Sequence, residues 1–253
     1  MPDSRLEAIL VEQPYPLLFV TVSGSHLYGF SSPDSDHDLR GAHILPAREV
    51  IGLHEGKETI DFIKIYEGLE IDLATHDVRK YFKLLLGKNG NVLEGIYSPL
   101  VIHTTPEHEE LKALAMRCVT RYYAYHYLGF TNSQMKLYRK EEPHRVKPLL
   151  YIYRVVLTGL HLMRTGELEP NLVKLNEVYQ LSYIPELIER KIHGAEQAVL
   201  EDGDLAFHET EATRLLGELE TALTTSVLPS EPDWQATRDL NELLIRLRLK
   251  NIA

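Results

Sequence analysis

Two carboxylates stand two residues apart in Asp36-His37-Asp38, and ten residues separate them from the pair Gly24-Ser25. In an extended strand, residues i and i+2 point to one face, roughly 7 Å apart along the chain. Asp36 and Asp38 are therefore expected to converge on one spot, with His37 turned away. Like charges so placed repel unless a cation lies between them, and an all-oxygen ligand set suits Mg²⁺ or Mn²⁺. Gly24 lets the backbone approach a ligand closely, and the residues after it can open a helix whose free N–H groups face an anion. A third acid, Asp72, sits in Ile71-Asp72-Leu73, flanked by strong strand formers. A buried carboxylate there is costly without a partner. Asp72 is the expected third ligand; the alternatives are Asp61 or Glu70 as the third acid, or Asp72 in a salt bridge. Arg40, two residues from Asp38, is expected on the same face, against phosphate or an aspartate.

These groups need a scaffold. The apolar run Leu17–Val22 reads as a short buried strand that ends at the Gly-Ser break. A short helix is expected at 27–30, and a second strand from Asp36 to Leu45, stopped by Pro46. Thr59–Tyr66 and Leu69–Thr75 are expected to pair as a hairpin across the Glu67-Gly68 turn. An amphipathic helix follows over Asp77–Leu86, and a shorter one over Val92–Tyr97 with Asn91 as its cap. Beyond Pro99 and Pro106 the pattern is helical throughout: 106–130, 147–164, 172–181, 185–200, 207–225 and 234–249. A helical turn or two is expected over Leu6–Val11, before Pro14 and Pro16.

The string Gly-Ser-His-x-Tyr-Gly-x-x-Ser-x-x-Ser-Asp-x-Asp-x-Arg-Gly, here residues 24–41, resembles the DNA polymerase β-like nucleotidyltransferase superfamily. It is most similar to that superfamily's RNA-repair-associated branch. The segment Glu70-Ile-Asp-Leu73 and the run from Asn89 to Glu94 are similar to the same family, and the likeness fades beyond residue 98. The resemblance implies an α+β fold. A small mixed β-sheet with flanking helices forms a nucleotidyltransferase domain over residues 1–105, followed by an all-helical domain over 106–253. It implies transfer of a nucleoside monophosphate from an NTP such as ATP to an acceptor hydroxyl, with an RNA end, a protein or a small molecule as acceptor. Asp36, Asp38 and Asp72 would hold two Mg²⁺ or Mn²⁺ ions about 3.5–4 Å apart around an in-line attack. Gly24, Ser25, His26, Tyr28 and Ser35 would lie at the nucleotide, with Arg40 at a phosphate. The rivals are a nucleotide-binding regulatory protein without catalysis and a metal-dependent phosphohydrolase. The histidines His26, His37, His43 and His76 lack convincing ligand spacing for the latter.

The chain has 253 residues and a net charge of −10, which argues against broad adhesion to nucleic acid. The charge is uneven. Residues 106–165 carry 10 basic and 5 acidic side chains, whereas both flanking segments are acidic. On the helix over 147–164, Lys147, Tyr151, Arg154, Thr158 and His161 fall on one stripe. That stripe is expected to be either a solvated face or a site wall, in which Lys147, Tyr151 and Arg154 bind nucleotide or phosphate across a cleft from the aspartates. Lys136 and Arg139 extend the basic cluster. Four tyrosines, Tyr122, Tyr123, Tyr125 and Tyr127, cannot share one helical face, so some are core and some exposed. The single cysteine, Cys118, excludes an intrachain disulfide and is expected in a core, in a reducing, cytoplasmic setting. No stretch has the apolar length of a membrane span, and the first residues do not resemble a signal peptide.

Overall fold

A computed structural model of the chain describes residues 4–193 and 202–250. Five strands form a mixed sheet in the order β3-β4-β2-β1-β5: β1 (Leu17–Val22), β2 (His37–His43), β3 (Thr59–Tyr66), β4 (Leu69–Asp77) and β5 (Val101–His103). β3 and β4 are the expected hairpin, joined at Glu67 (φ +46°) and Gly68 (φ +81°). Two successive positive φ angles match the twist of the flanking strands, which is why Gly follows there. β2 runs antiparallel to β1 and parallel to β4. The parallel pairing sets Asp38 opposite Asp72 and Arg40 opposite Ala74.

The chain divides into two compact units. The first holds residues 1–27, 36–119 and 231–253. Helix α1 (Ser4–Leu10) covers one face of its sheet. Leu6 and Ile9 pack there with Val20, Val22, Leu39, Ile71 and Leu73, and with the partly buried Phe62, Tyr66 and Leu69. A short helix α2 (Gly24–Tyr28) follows β1, and another, α3 (Arg48–Ile51), follows β2. The opposite face of β1 meets α4 (Val78–Leu86), α5 (Gly90–Tyr97) and α6 (Pro106–Arg117). Phe19 packs edge-on to Tyr81 and flat on His108, and the Thr21 hydroxyl donates to the Gly95 carbonyl at 3.0 Å.

Asp77 caps α4, accepting from the Arg79 N–H at 3.0 Å. It also accepts from the Leu45 N–H at 3.1 Å and pairs with Arg248 at 2.5 Å. Arg248 lies on helix α12 (Trp234–Lys250) and donates as well to the Leu45 carbonyl, 203 residues away in sequence. The last helix thus completes the first unit, helped by the pairs Arg246–Glu110 and Lys250–Glu107.

The second unit holds residues 28–35 and 120–230. Its centre is α8 (Val146–Thr165), almost wholly buried, with α7 (Ala124–Tyr138), α9 (Leu172–Tyr179), α10 (Tyr183–His193) and α11 (Asp202–Thr225) packed around it. A Cβ on Gly159 would come within 2.6 Å of Tyr127, so the glycine is what lets α7 approach α8.

Several expectations shift. The two compact units interleave along the sequence. α6 and α12 belong with the sheet, because their apolar sides and ion pairs are spent there. Residues 28–35 belong with the helices. The helix expected over 106–130 breaks at Cys118–Thr120, passes through a 3₁₀ turn (Arg121–Tyr123) and restarts as α7. Asn89, not Asn91, caps α5, accepting from the Val92 N–H at 3.2 Å. α2 begins at Gly24, three residues earlier than expected. α10 ends in the described residues at His193, and the expected stretch 194–200 lies outside them. Tyr123 and Tyr127 are core, whereas Tyr125 is exposed and stacks on Tyr122. Cys118 is buried, and that burial pushes its thiol up to about 11, as suits a core residue.

Candidate active site

The carboxylates of Asp38 and Asp72 meet on the sheet face that α1 does not cover. One guanidinium nitrogen of Arg40 lies 2.6 Å from Asp38 Oδ1 and 2.9 Å from Asp72 Oδ2. The other terminal nitrogen donates to the carbonyls of Asp72 (2.8 Å) and Leu39 (3.0 Å). A single cationic nitrogen between two carboxylates is the counter-charge that such a pair demands. Arg40 is therefore engaged with the acids themselves. Of the two options left by sequence, aspartate pairing is what the geometry shows.

Asp36 is one residue before β2 begins, partly buried. Gly24, at φ +62°, lies against Asp38: a Cβ there would stand 2.0 Å from Asp38 Oδ2. The glycine is required twice, for its backbone angle and for room. The Ser23 N–H donates to the Asp38 carbonyl at 2.8 Å, fixing this loop to the start of β2. Ser25 is 2 % exposed, and its hydroxyl has no hydrogen-bond partner among the described residues. His26 stacks on His37, ring centroids 4.3 Å apart.

The remaining expected residues belong to the helical unit. Ser32 and Ser35 bracket the turn Ser32-Pro33-Asp34-Ser35, closed by the Ser35 N–H to the Ser32 carbonyl at 2.9 Å. The Ser32 N–H returns a bond to Ser35 Oγ at 3.0 Å. Lys191 of α10, 1 % exposed, donates to both hydroxyls at 2.6 and 2.9 Å. Sequence reasoning missed it, because nothing local marks a lysine more than 150 residues downstream. Asp34 is exposed, and its carboxyl is held below the ordinary range by a hydrogen bond from Ser32, with smaller help from its own backbone N–H, Lys191 and Lys147. Arg154 is buried, its guanidinium 3.8 Å from the centre of the Tyr28 ring. Tyr151 stands edge-on to both Tyr28 and Phe30. Arg154 and Thr158 being buried, the stripe on α8 is not a solvated face. Arg139 pairs with Glu209 at 2.7 Å. Glu94, for which the sequence suggests a solvated or capping role ahead of a place beside the site, is buried.

The acids fit a divalent cation in type and in convergence, since Asp38 and Asp72 already share one positive nitrogen. Among the described residues no group of three His, Cys, Asp or Glu side chains is arranged to hold a metal. The convergent set is a pair with Arg40 between them.

A Gly-Ser helix start beside an Asp-x-Asp strand, on a five-stranded mixed sheet followed by helices, defines the polymerase β-like nucleotidyltransferase fold. Within that class the chain belongs to the RlaP family, the RNA repair pathway DNA polymerase beta family, whose model matches residues 2–246. The protein MJ0002 of Methanocaldococcus jannaschii is 32% identical over 189 residues, 73% of this chain and 75% of that one. YcgL of Bacillus subtilis is 26% identical over 220 residues, 81% and 83% of the two chains. The solved structure of a nucleotidyltransferase-like protein from Exiguobacterium sibiricum is 15% identical, covering 95% of this chain and 77% of that one at a TM-score of 0.34. Among the described residues no helix is long and apolar enough to cross a membrane.

Proposed function

We propose that this protein moves a nucleoside monophosphate from an NTP to an acceptor hydroxyl, with a divalent cation at Asp38, Asp72 and Asp36. The observation that carries the reading is the in-register meeting of Asp38 and Asp72 around one positive nitrogen, with the Gly24 backbone packed against Asp38. Mg²⁺ or Mn²⁺ bound there would supply Lewis-acid stabilisation of the α-phosphate and a lowered pKa for the attacking hydroxyl. Two ions are the expected complement.

The chain's own groups have these roles. Asp36 and Asp38 hold the nucleotide's cation. Asp72 faces the acceptor and takes its proton. The buried, unpartnered Ser25 hydroxyl and the Gly24 backbone meet the triphosphate, and His26 borders it. Arg40, which pairs with both acids, would be free to meet phosphate where a cation neutralised them instead. Arg154 acts through Tyr28, which it holds by its face, and Ser35 acts through the turn that leads directly into Asp36. The family's description suggests an RNA end as acceptor; protein and small-molecule hydroxyls are the other classes.

The test is incubation with each NTP labelled at its α-phosphate, with Mg²⁺ or Mn²⁺ and with RNA, scoring transfer of label. One observation favours a second reading, a nucleotide-binding protein without catalysis: Arg40 already fills the space between the acids. Metal-independent NTP binding without any label transfer would select it.

A further inference from the structure

Strand β3 is the outer edge of the sheet, and the end of it nearest the acids is apolar and open. It is eight residues long, and among the described residues only β4 pairs with it. Ile63 and Ile65 are 72 % and 74 % exposed. Their neighbours Phe62 and Tyr66 point to the other face, toward α1, and Lys64 pairs with Glu12 at 2.6 Å. Natural edge strands are usually blunted by an inward charge, a proline or a cover, because their free N–H and C=O groups invite another strand. Lys64 is such an inward charge, held by Glu12 on the α1 side, while the outward face of the strand presents Ile63 and Ile65 to solvent.

The register decides where this edge lies. Ile63 is directly opposite Asp72, Ile65 opposite Glu70, and Asp61 opposite Ala74. Directly opposed residues share a face with Cβ atoms about 4.5–5.5 Å apart. Ile63 therefore adjoins the acid assigned to the acceptor side, and a segment lying along β3 comes alongside it. Asp61 and Glu70, both exposed, flank the two isoleucines on that face. Two bases border the face: Lys80 donates to the Thr59 hydroxyl at 2.5 Å, at the far end of β3 from Ile65, and Arg40 is committed to Asp38 and Asp72.

We propose that β3 is the acceptor-docking edge, and that the acceptor is an extended, basic polypeptide segment bearing a Ser, Thr or Tyr hydroxyl. The inference rests on the nucleotidyltransferase reading and adds its acceptor class. An edge strand offers a ladder of backbone donors and acceptors that another polypeptide complements, with alternate side chains read by surface pockets. Apolar side chains of the segment cover Ile63 and Ile65, and its lysines or arginines meet Asp61 and Glu70. A nucleic-acid backbone has no matching ladder, and its phosphates are repelled by the same two acids. In the reaction the side-chain hydroxyl oxygen bonds to the α-phosphorus of the NTP. The bond from that phosphorus to the β-phosphate bridging oxygen breaks, pyrophosphate leaves, and the hydroxyl proton passes to Asp72.

The test uses the full chain, Mn²⁺ and α-labelled NTPs. Three acceptors are offered: a Lys/Arg-rich peptide alternating Val with Ser, Thr and Tyr; the same peptide with acids in place of bases; and an RNA oligonucleotide with a free 3′ hydroxyl. The basic peptide is expected to be labelled at least tenfold more than either rival. The Ile63→Asp/Ile65→Asp variant should lose that labelling tenfold or more while binding NTP as the parent does. The Asp61→Lys/Glu70→Lys variant should reverse the preference toward the acidic peptide, a gain that misfolding cannot produce. RNA labelled preferentially, and equally by parent and Ile63→Asp/Ile65→Asp, would overturn the proposal. So would a dimer that the same pair of substitutions dissolves without changing peptide labelling, since β3 would then serve a second copy of the chain. Failure of the parent to bind any NTP counts instead against the nucleotidyltransferase reading itself.

Discussion

The Gly24 Cα and the Asp38 carboxylate are packed so closely that no side chain fits between them: a methyl group on Gly24 would stand 2.0 Å from Oδ2. Gly24 also has φ +62°, which costs an L side chain about 1–2 kcal/mol. Gly24→Ala is therefore expected to destabilise the protein by about 1–3 kcal/mol and to displace Asp38. Gly68 is the control. It has φ +81°, and a methyl group there would meet nothing within 4 Å. Gly68→Ala should lower the unfolding midpoint without changing NTP binding per folded molecule, whereas Gly24→Ala should lose both. Equal binding by the two variants would separate Gly24 from the site.

Asp72→Asn should cut label transfer by at least about a hundredfold, with NTP affinity much less affected, because a group acting on the attacking hydroxyl is felt in the transition state. Asp38→Asn should lower metal-dependent NTP binding itself. Arg40→Met removes the cation that now bridges the two acids, so it should tighten Mn²⁺ binding measured by calorimetry. If Asp72→Asn turns over normally and Asp61→Asn does not, the acceptor-side acid is Asp61.

Arg248→Met strands a buried carboxylate. Asp77 is 1 % exposed and would keep only its backbone donors from Leu45 and Arg79. Removing one partner of a buried pair costs about 3–5 kcal/mol, which urea titration will read as a fall in midpoint. Asp77→Asn combined with Arg248→Met should cost less than Arg248→Met alone.

His108 makes acid stability predictable. It is buried, flat on Phe19, with Nε2 3.1 Å from the Ile96 carbonyl and Nδ1 3.0 Å from the Thr104 hydroxyl. Burial pulls its pKa from 6.5 down to about 4, against an opposing hydrogen bond to Ile96. The unfolded chain thus binds a proton between pH 6.5 and 4 that the folded chain refuses. The stabilisation is fully present above pH 6.5 and is lost as pH falls toward 4, by about 3 kcal/mol at most. His108→Gln should flatten the stability profile in that window, as followed by thermal unfolding at stepped pH.

The strands are legible in the sequence because each carries its signal locally: apolar runs in β1, alternation in β3, and a Glu-Gly turn between β3 and β4. The residues Gly24, Asp38 and Asp72 are legible as types, yet their meeting depends on the parallel register of β2 and β4, which no local pattern encodes. The double engagement of Arg40 follows from that register and is equally hidden. β5 is three residues long, too short for any period. Lys191 and Arg248 act over 156 and 171 or more residues, so composition places them on helices but not against their partners. The stripe on α8 is visible, but only packing shows that Arg154 spends its charge on the Tyr28 ring.

The hydrogen bond from Arg248 to the Leu45 carbonyl has a consequence for synthesis. A ribosome delivers the strands first and the arginine that closes their unit last, with the helical segment 120–230 made in between. The Asp77 carboxylate therefore lacks its Arg248 partner until α12 has been made. Long-range closure of this kind is slow and leaves apolar surface exposed meanwhile. Docking of α12 on the sheet therefore follows synthesis of residues 120–230, whichever unit packs first.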